Sequence, residues 1–327
     1  MKLASLKPSN PRLKNGEMII VSRDTRTAAK PESKIFASIL DALEDWDEIK
    51  PKLENIYRLL NEGKMRDAFP FNPKDCIAPL AHSPGFYDGS AFLSHVVRAR
   101  RARGDQMPES AKVTPLMYQG VSDNALPSYA PLELMDTAYG GDFEGEFAVI
   151  TTSVRKGTKA PECANAIALL TMFNDITYRE IVKVEIETKF GFLQSKPNSS
   201  FAPIVITPDE LGSAWRNGRV ELELSVKLNG EVFGRPNGRE MHFSFMDLIA
   251  HACRTRPLSA GCLVGSGTVS NEDKTRGFAC LTEKRFQETI DSGKPSTPWL
   301  KVGDRVEMDV MHDGVSLFGK IEQQVVL

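Results

Sequence analysis

The sequence predicts an α+β protein, mainly β, and three observations carry that expectation. The segments GDFEGEFAVITTS, RVELELSVKLNGEVF and DRVEMDVMHDGVSLFGKIEQQVV alternate in the period of two that strands require. The pairs Asn229-Gly230 and Asp313-Gly314 sit between apolar runs, where hairpin turns need residues that tolerate positive φ. Helical spacing is confined to patches near residues 34–62, 90–102, 161–172 and 244–253.

Taken in chain order, residues 1 to about 30 read as short strands and turns around EMIIV. Ile35, Phe36, Ile39, Leu40, Leu43 and Trp46 recur at helical spacing, and Leu53, Ile56, Tyr57 and Leu60 form a second stripe. Pro51 lies between the stripes, so two helices joined near it are expected. The stretch AFPFNPKDCIAPLAHSPG carries four prolines and reads as an inter-domain passage near residues 70–80. The expectation is a small N-terminal α/β module over residues 1–75 and a larger, strand-rich domain over 76–327. No internal repeat or low-complexity tract is detected.

Composition narrows the function classes. At 327 residues the chain can bury about three quarters of its unfolded surface, so folding requires neither disulfide nor metal. A net charge of -2 gives no electrostatic footprint for nucleic acid or an acidic membrane. The five cysteines, Cys76, Cys163, Cys253, Cys262 and Cys280, form no CxxC pair, which argues against a disulfide framework and a thiolate zinc site. Prolines interrupt the N-terminal segment before any apolar core of signal-peptide length, and no apolar run approaches a membrane span. A soluble, cytoplasmic chain with neither nucleic-acid nor membrane partners is expected.

The most informative segment runs from Asp142 to Val149. On a strand, Asp142, Glu144 and Glu146 share one face, while Phe143, Phe147 and Val149 share the other. Carboxylates about 7 Å apart along a strand repel by roughly 2 kcal/mol at an effective dielectric of 20. A hard cation turns that repulsion into coordination. A solvated acidic face is the alternative, and Glu221-Leu222-Glu223 fits it equally well. Asp175 could cap a turn, Asp88 could belong to a Tyr87-Asp88-Gly89 turn, and His95 could be a surface histidine. The basic run Arg98–Arg103 reads as a solvated helix face or as one or two anion-binding arginines. Gly265-Ser266-Gly267-Thr268 lacks the Gly-Lys-Ser/Thr ending of a phosphate loop and by itself reads as a turn. No Gly-x-Ser-x-Gly elbow or HExxH pair occurs, so serine-hydrolase and histidine-zinc readings have no support.

In order, Asp88…His95, Glu144-Gly145-Glu146, Asn174-Asp175-Ile176-Thr177-Tyr178-Arg179, Lys196 before Ser200-Phe201-Ala202-Pro203, and Gly265-Ser266-Gly267-Thr268 resemble the fumarylacetoacetate hydrolase family, in its fumarylacetoacetase-like branch. The resemblance implies a fumarylacetoacetase-like mixed β-sheet catalytic domain behind a smaller N-terminal domain. It places Glu144, Glu146 and Asp175 on the family's divalent-metal carboxylates and Asp88 on a fourth. His95 falls on the general base, and Glu283 is the candidate to orient it. Arg179 and Lys196 fall on the pair that stabilises charge on the departing fragment. Arg103, Tyr118 and Thr268 fall on substrate-contacting positions. The cofactor implied is Mg²⁺ or Ca²⁺, with Mn²⁺ as an alternative.

The activity implied is hydrolysis of a carbon–carbon bond in a 1,3-diketo acid, closest to fumarylacetoacetate, by a homodimer in aromatic amino-acid (tyrosine) degradation. Two departures stand out: Gly89-Ser90 replaces an aromatic pair, and Val182 replaces a glutamine. The competing expectations are acylpyruvate hydrolysis or oxaloacetate decarboxylation on the same scaffold, and a non-catalytic metal-stabilised binding protein.

Overall fold

A computed structural model describes residues 1–31 and 37–327. Its spine is a 12-stranded mixed sheet. The main path runs through Phe69–Pro70, Thr27–Ala29, Glu17–Val21, Lys2–Leu6, Ile204–Ile206, Ile167–Asn174, Gly145–Thr151, Leu263–Gly265, Phe86–Gly89 and Met117–Gln119. Leu263–Gly265 pairs parallel with Phe86–Gly89, whereas Gly145–Thr151 pairs antiparallel with both its neighbours. The α+β, mainly β expectation describes this architecture.

Both faces of the spine are covered. Along Gly145–Thr151, Phe147 and Val149 join one core cluster, and Ala148 and Ile150 join the other. The first cluster also takes in Val226, Val306, Met308 and Val325 from a five-stranded sheet. The second packs Ile39, Leu43, Trp46, Leu53 and Leu60 against Leu3 and Ile20. Lys2 pairs with Ile206 in an antiparallel ladder, so the N-terminal strands extend the central sheet.

Three local expectations need correction. The two N-terminal helices, Ile39–Glu44 and Trp46–Asn61, meet at Asp45, and Pro51 lies inside the second. Proline there forgoes one helical hydrogen bond on an exposed face, and the buried stripe Trp46, Ile49, Leu53, Tyr57 and Leu60 keeps the helix intact. The earlier expected stripe positions Ile35 and Phe36 lie outside the described residues. Within 161–172 only Ala160–Cys163 and a 3₁₀ turn are helical, and Ile167–Asn174 is a fully buried strand. The helices Arg179–Thr188 and Leu281–Ser292 were not anticipated.

The hairpin expectation at Asn229-Gly230 matches the geometry. Both residues take positive φ, 54° and 84°, between Ser225–Leu228 and Glu231–Gly234. No described helix is long and apolar enough to cross a membrane.

Candidate active site

Strand ends converge on a cavity of about 810 Å³. Asp88 lies on Phe86–Gly89 opposite Gly265, where an added Cβ would sit only 2.1 Å from Asp88 Oδ1. Glycine at 265 is therefore what lets the carboxylate lie against the neighbouring strand. The backbone N–H of Gly267 donates to Asp88 Oδ1 at 3.3 Å, and Gly267 takes φ +76°. The glycine loop thus holds an acidic side chain.

The pairing of Gly145 with Asn174 sets Glu144 beside Asp175, whose N–H donates to the Glu144 carbonyl at 2.9 Å. Asp88, Glu146 and Asp175 each bring a carboxylate oxygen within 4.8 Å of the others. Both Glu146 oxygens are buried with no hydrogen-bond partner among the described residues. Burial, then the Asp88 and Asp175 charges, raises the Glu146 pKa well above the usual carboxylate range. Burial and Asp175 likewise push Asp88 up to about 8. A partnerless buried carboxylate among two others fits a hard cation. Asp88, Glu146 and Asp175 are the residues that could hold one.

Glu144 stands in different company. Arg179 Nη2 donates to its Oε1 at 2.6 Å, and Lys196 Nζ to its Oε2 at 2.7 Å. Burial opposes ionisation, but Arg179 and Lys196 override it and draw the pKa below the usual range. Lys196 also reaches Asp175 Oδ2 at 2.5 Å. The resemblance groups Glu144, Glu146 and Asp175, with Asp88 as a fourth carboxylate; the geometry brings Asp88, Glu146 and Asp175 within 4.8 Å of one another and pairs Glu144 with Arg179 and Lys196.

Tyr118, opposite Asp88 in the ladder, donates its hydroxyl to Asp175 Oδ2 at 2.8 Å. Burial, Asp175 and Asp88 raise its pKa well above ordinary tyrosine, so it acts as a donor.

In the same cavity, His95 lies in the first turn of Leu93–Ala102. Its Nδ1 is 3.7 Å from Glu283 Oε2, in the first turn of Leu281–Ser292. Glu283 Oε1 accepts from Arg98 Nη1 at 2.7 Å and from Ser270 Oγ at 2.5 Å. Arg98 and His95 share a helix face at i, i+3 spacing. Thr268 lines the cavity with its Oγ1 unpartnered, and Arg103 lines it over the Phe286 ring. Nine of the eleven anticipated residues line this one cavity, with Asp175 and Glu283 directly behind it.

Sequence reasoning missed the supporting residues. Asp142 accepts from the Leu281 and Thr282 N–H groups and from Arg179 Nε, so it caps one helix and anchors the cation that grips Glu144. Ser199 donates to Asp175 Oδ1 at 2.7 Å. Arg98 was visible only as one of a basic run. These contacts span more than twenty residues, and no local spacing signals them.

A buried carboxylate triad and a histidine–glutamate pair at one cavity, on a mixed sheet, form a site that could hold a hard cation beside an acid–base group. The family model for the fumarylacetoacetate (FAA) hydrolase C-terminal domain matches residues 86–326, and that for fumarylacetoacetase N-terminal domain 2 matches residues 1–81. The chain belongs to the fumarylacetoacetate hydrolase family, whose members are enzymes acting on keto acids.

Its relatives differ in chemistry. The mitochondrial oxaloacetate tautomerase Fahd2a of Rattus norvegicus is 24% identical over 62% of this chain and 57% of that protein. The chain spans 47% to 57% of the length of three curated relatives. A fumarylacetoacetate hydrolase from Exiguobacterium antarcticum superposes with a TM-score of 0.68 at 16% identity, covering 99% of both chains. A probable 2-hydroxyhepta-2,4-diene-1,7-dioate isomerase from Mycobacterium abscessus also superposes at 0.68, with 17% identity over 99% of this chain and 98% of that one.

Proposed function

We propose that the chain hydrolyses a carbon–carbon bond in a 1,3-diketo acid, with fumarylacetoacetate the nearest named substrate. The observation that carries this reading is that His95, backed by Glu283, lines the same cavity as Asp88 and Glu146. Hydrolysis requires a base that activates water, which decarboxylation of a β-keto acid does not.

Asp88, Glu146 and Asp175 would hold the divalent ion, Mg²⁺ or Ca²⁺ by their all-oxygen chemistry, with Glu144 beside them. Such an ion supplies Lewis acidity to the diketone oxygens. His95 takes a proton from water as the water oxygen bonds to one carbonyl carbon. Glu283 holds the imidazole ring and its developing charge. The carbon–carbon bond then breaks, and its electron pair goes to the departing fragment as an enolate. Lys196 and Arg179 stabilise that charge, and a proton returns to carbon. Thr268 and Arg103 orient the substrate carboxylate, and Tyr118 donates from the triad side.

A second reading is tautomerisation or decarboxylation of an oxaloacetate-type acid. Val182 and Gly89-Ser90 favour it, because they line the cavity without the aromatic and amide groups expected of the first. The homodimer implied by the family belongs to both readings and is checked by sedimentation.

The deciding experiment is turnover on a panel of diketo acids with and without divalent ions, with product analysis. Hydrolysis predicts two acid fragments and a loss of about 10²–10⁴-fold in His95→Ala, with ion affinity nearly intact. Near-native kcat in His95→Ala on every substrate would reject hydrolysis in favour of decarboxylation.

A further inference from the structure

Beside the histidine–glutamate pair lies Cys280, which the reaction does not use. His95, Cys280 and Glu283 each bring one ligand-type atom within 4.8 Å of the others. Cys280 and Glu283 are fully buried, while His95 opens to the cavity. His95 Nδ1 and Glu283 Oε2 both lack a hydrogen-bond partner among the described residues. Their 3.7 Å separation is too long for a direct bond but suits two atoms sharing a third. Arg98 and Ser270 occupy the other Glu283 oxygen, which leaves Oε2 directed at the histidine.

We propose that His95, Cys280 and Glu283 form a second cation site, selective for a soft divalent ion such as Zn²⁺, whose filling withdraws His95 from the reaction. Imidazole, thiolate and carboxylate are zinc donors, whereas the all-carboxylate triad suits Mg²⁺ or Ca²⁺. Tetrahedral zinc holds such donors roughly 3.3–3.8 Å apart, so the cluster must close by about 1 Å. The fourth position faces the cavity, through which the ion enters. The thiolate and carboxylate together match the ion's two charges.

Burial, then Asp142 and Glu144, holds the Cys280 thiol protonated, so binding releases its proton to solvent. Cys280 also bridges through its backbone to Glu144, which places this site against the acidic one. The two sites sort cations by hardness. The binding claim stands alone, and the loss of turnover rests on His95 acting as proposed above.

The test adds Co²⁺ to full-length protein already saturated with Mg²⁺ and follows thiolate-to-cobalt charge transfer in the near ultraviolet. The wild type should show the band, with release of about one proton as Co²⁺ binds, and one equivalent of Zn²⁺ should remove it with no further proton release. Cys280→Ser and Cys280→Ala should lack it, Glu283→Gln should weaken it, and Cys253→Ser should keep it. Reading four variants keeps the result clear if one fails to fold. Zn²⁺ should stop wild-type turnover, with at least about tenfold less potency in Cys280→Ser. No band in the wild type, or an unchanged band in the Cys280 variants, means that water alone bridges the pair and overturns the site. A band that behaves as expected while Zn²⁺ leaves turnover intact supports the site and overturns the role given to His95.

Discussion

Glu144 and Glu146 stand two residues apart at the head of one strand, both buried, in opposite surroundings. Glu144 meets Arg179 and Lys196 and is held ionised. Glu146 meets Asp88 and Asp175 and is pushed toward its neutral form. The ExE spacing supplies both carboxylates, but the cations brought by other elements decide which is neutralised within the chain. The one left over is the one that calls for an ion.

The largest effect expected from this contrast is on stability without divalent ions. Glu144→Gln removes a partner from two buried cations and should cost about 3 kcal/mol in urea unfolding. Glu146→Gln deletes a partnerless carboxylate and should leave stability unchanged or higher. Equal destabilisation by the two changes would break the comparison.

The same asymmetry sets a pH dependence. Asp88 is raised to about 8, against roughly 3.9 when unfolded, and Glu146 shifts in the same direction. A carboxylate raised by folding contributes stability that is full below the unfolded value and lost as pH rises through the folded one. Ion-free protein should therefore melt progressively lower between about pH 4 and pH 8, and excess Mg²⁺ should flatten that decline. A melting temperature that climbs over this range without ions would contradict the charge assignment.

A smaller effect is expected at Ser199. Its hydroxyl donates to Asp175 Oδ1, so Ser199→Ala should cost about 1–2 kcal/mol by leaving that oxygen short of a donor. No change in urea unfolding would show that Asp175 is held by Lys196 and Tyr118 alone.

How far the sequence reveals this arrangement depends on the range of each signal. Parity along Asp142–Val149 is local, and Phe143, Phe147 and Val149 do share one core cluster. The turn chemistry at Asn229-Gly230 is local too. Ile167–Asn174 was misread as helix because it is buried on both faces, and a continuous apolar run carries no alternation. Arg179–Thr188 was missed because REIVKVEIET alternates like a strand and has no fully buried residue to mark a helical face. In the site, the resemblance supplied eleven positions that the fold gathers around one cavity. It did not separate Glu144 from Glu146, because that distinction comes from Arg179 and Lys196, more than thirty residues downstream.

The central claim is that Asp88, Glu146 and Asp175 hold one divalent ion, with Glu146 supplying the carboxylate that has no hydrogen-bond partner among the described residues. Calorimetric titration of ion-free protein with Mg²⁺ tests it most directly. The account predicts one site per chain in the wild type and no measurable site in Glu146→Gln. An ion-binding isotherm unchanged by Glu146→Gln, or no binding in the wild type, would contradict it.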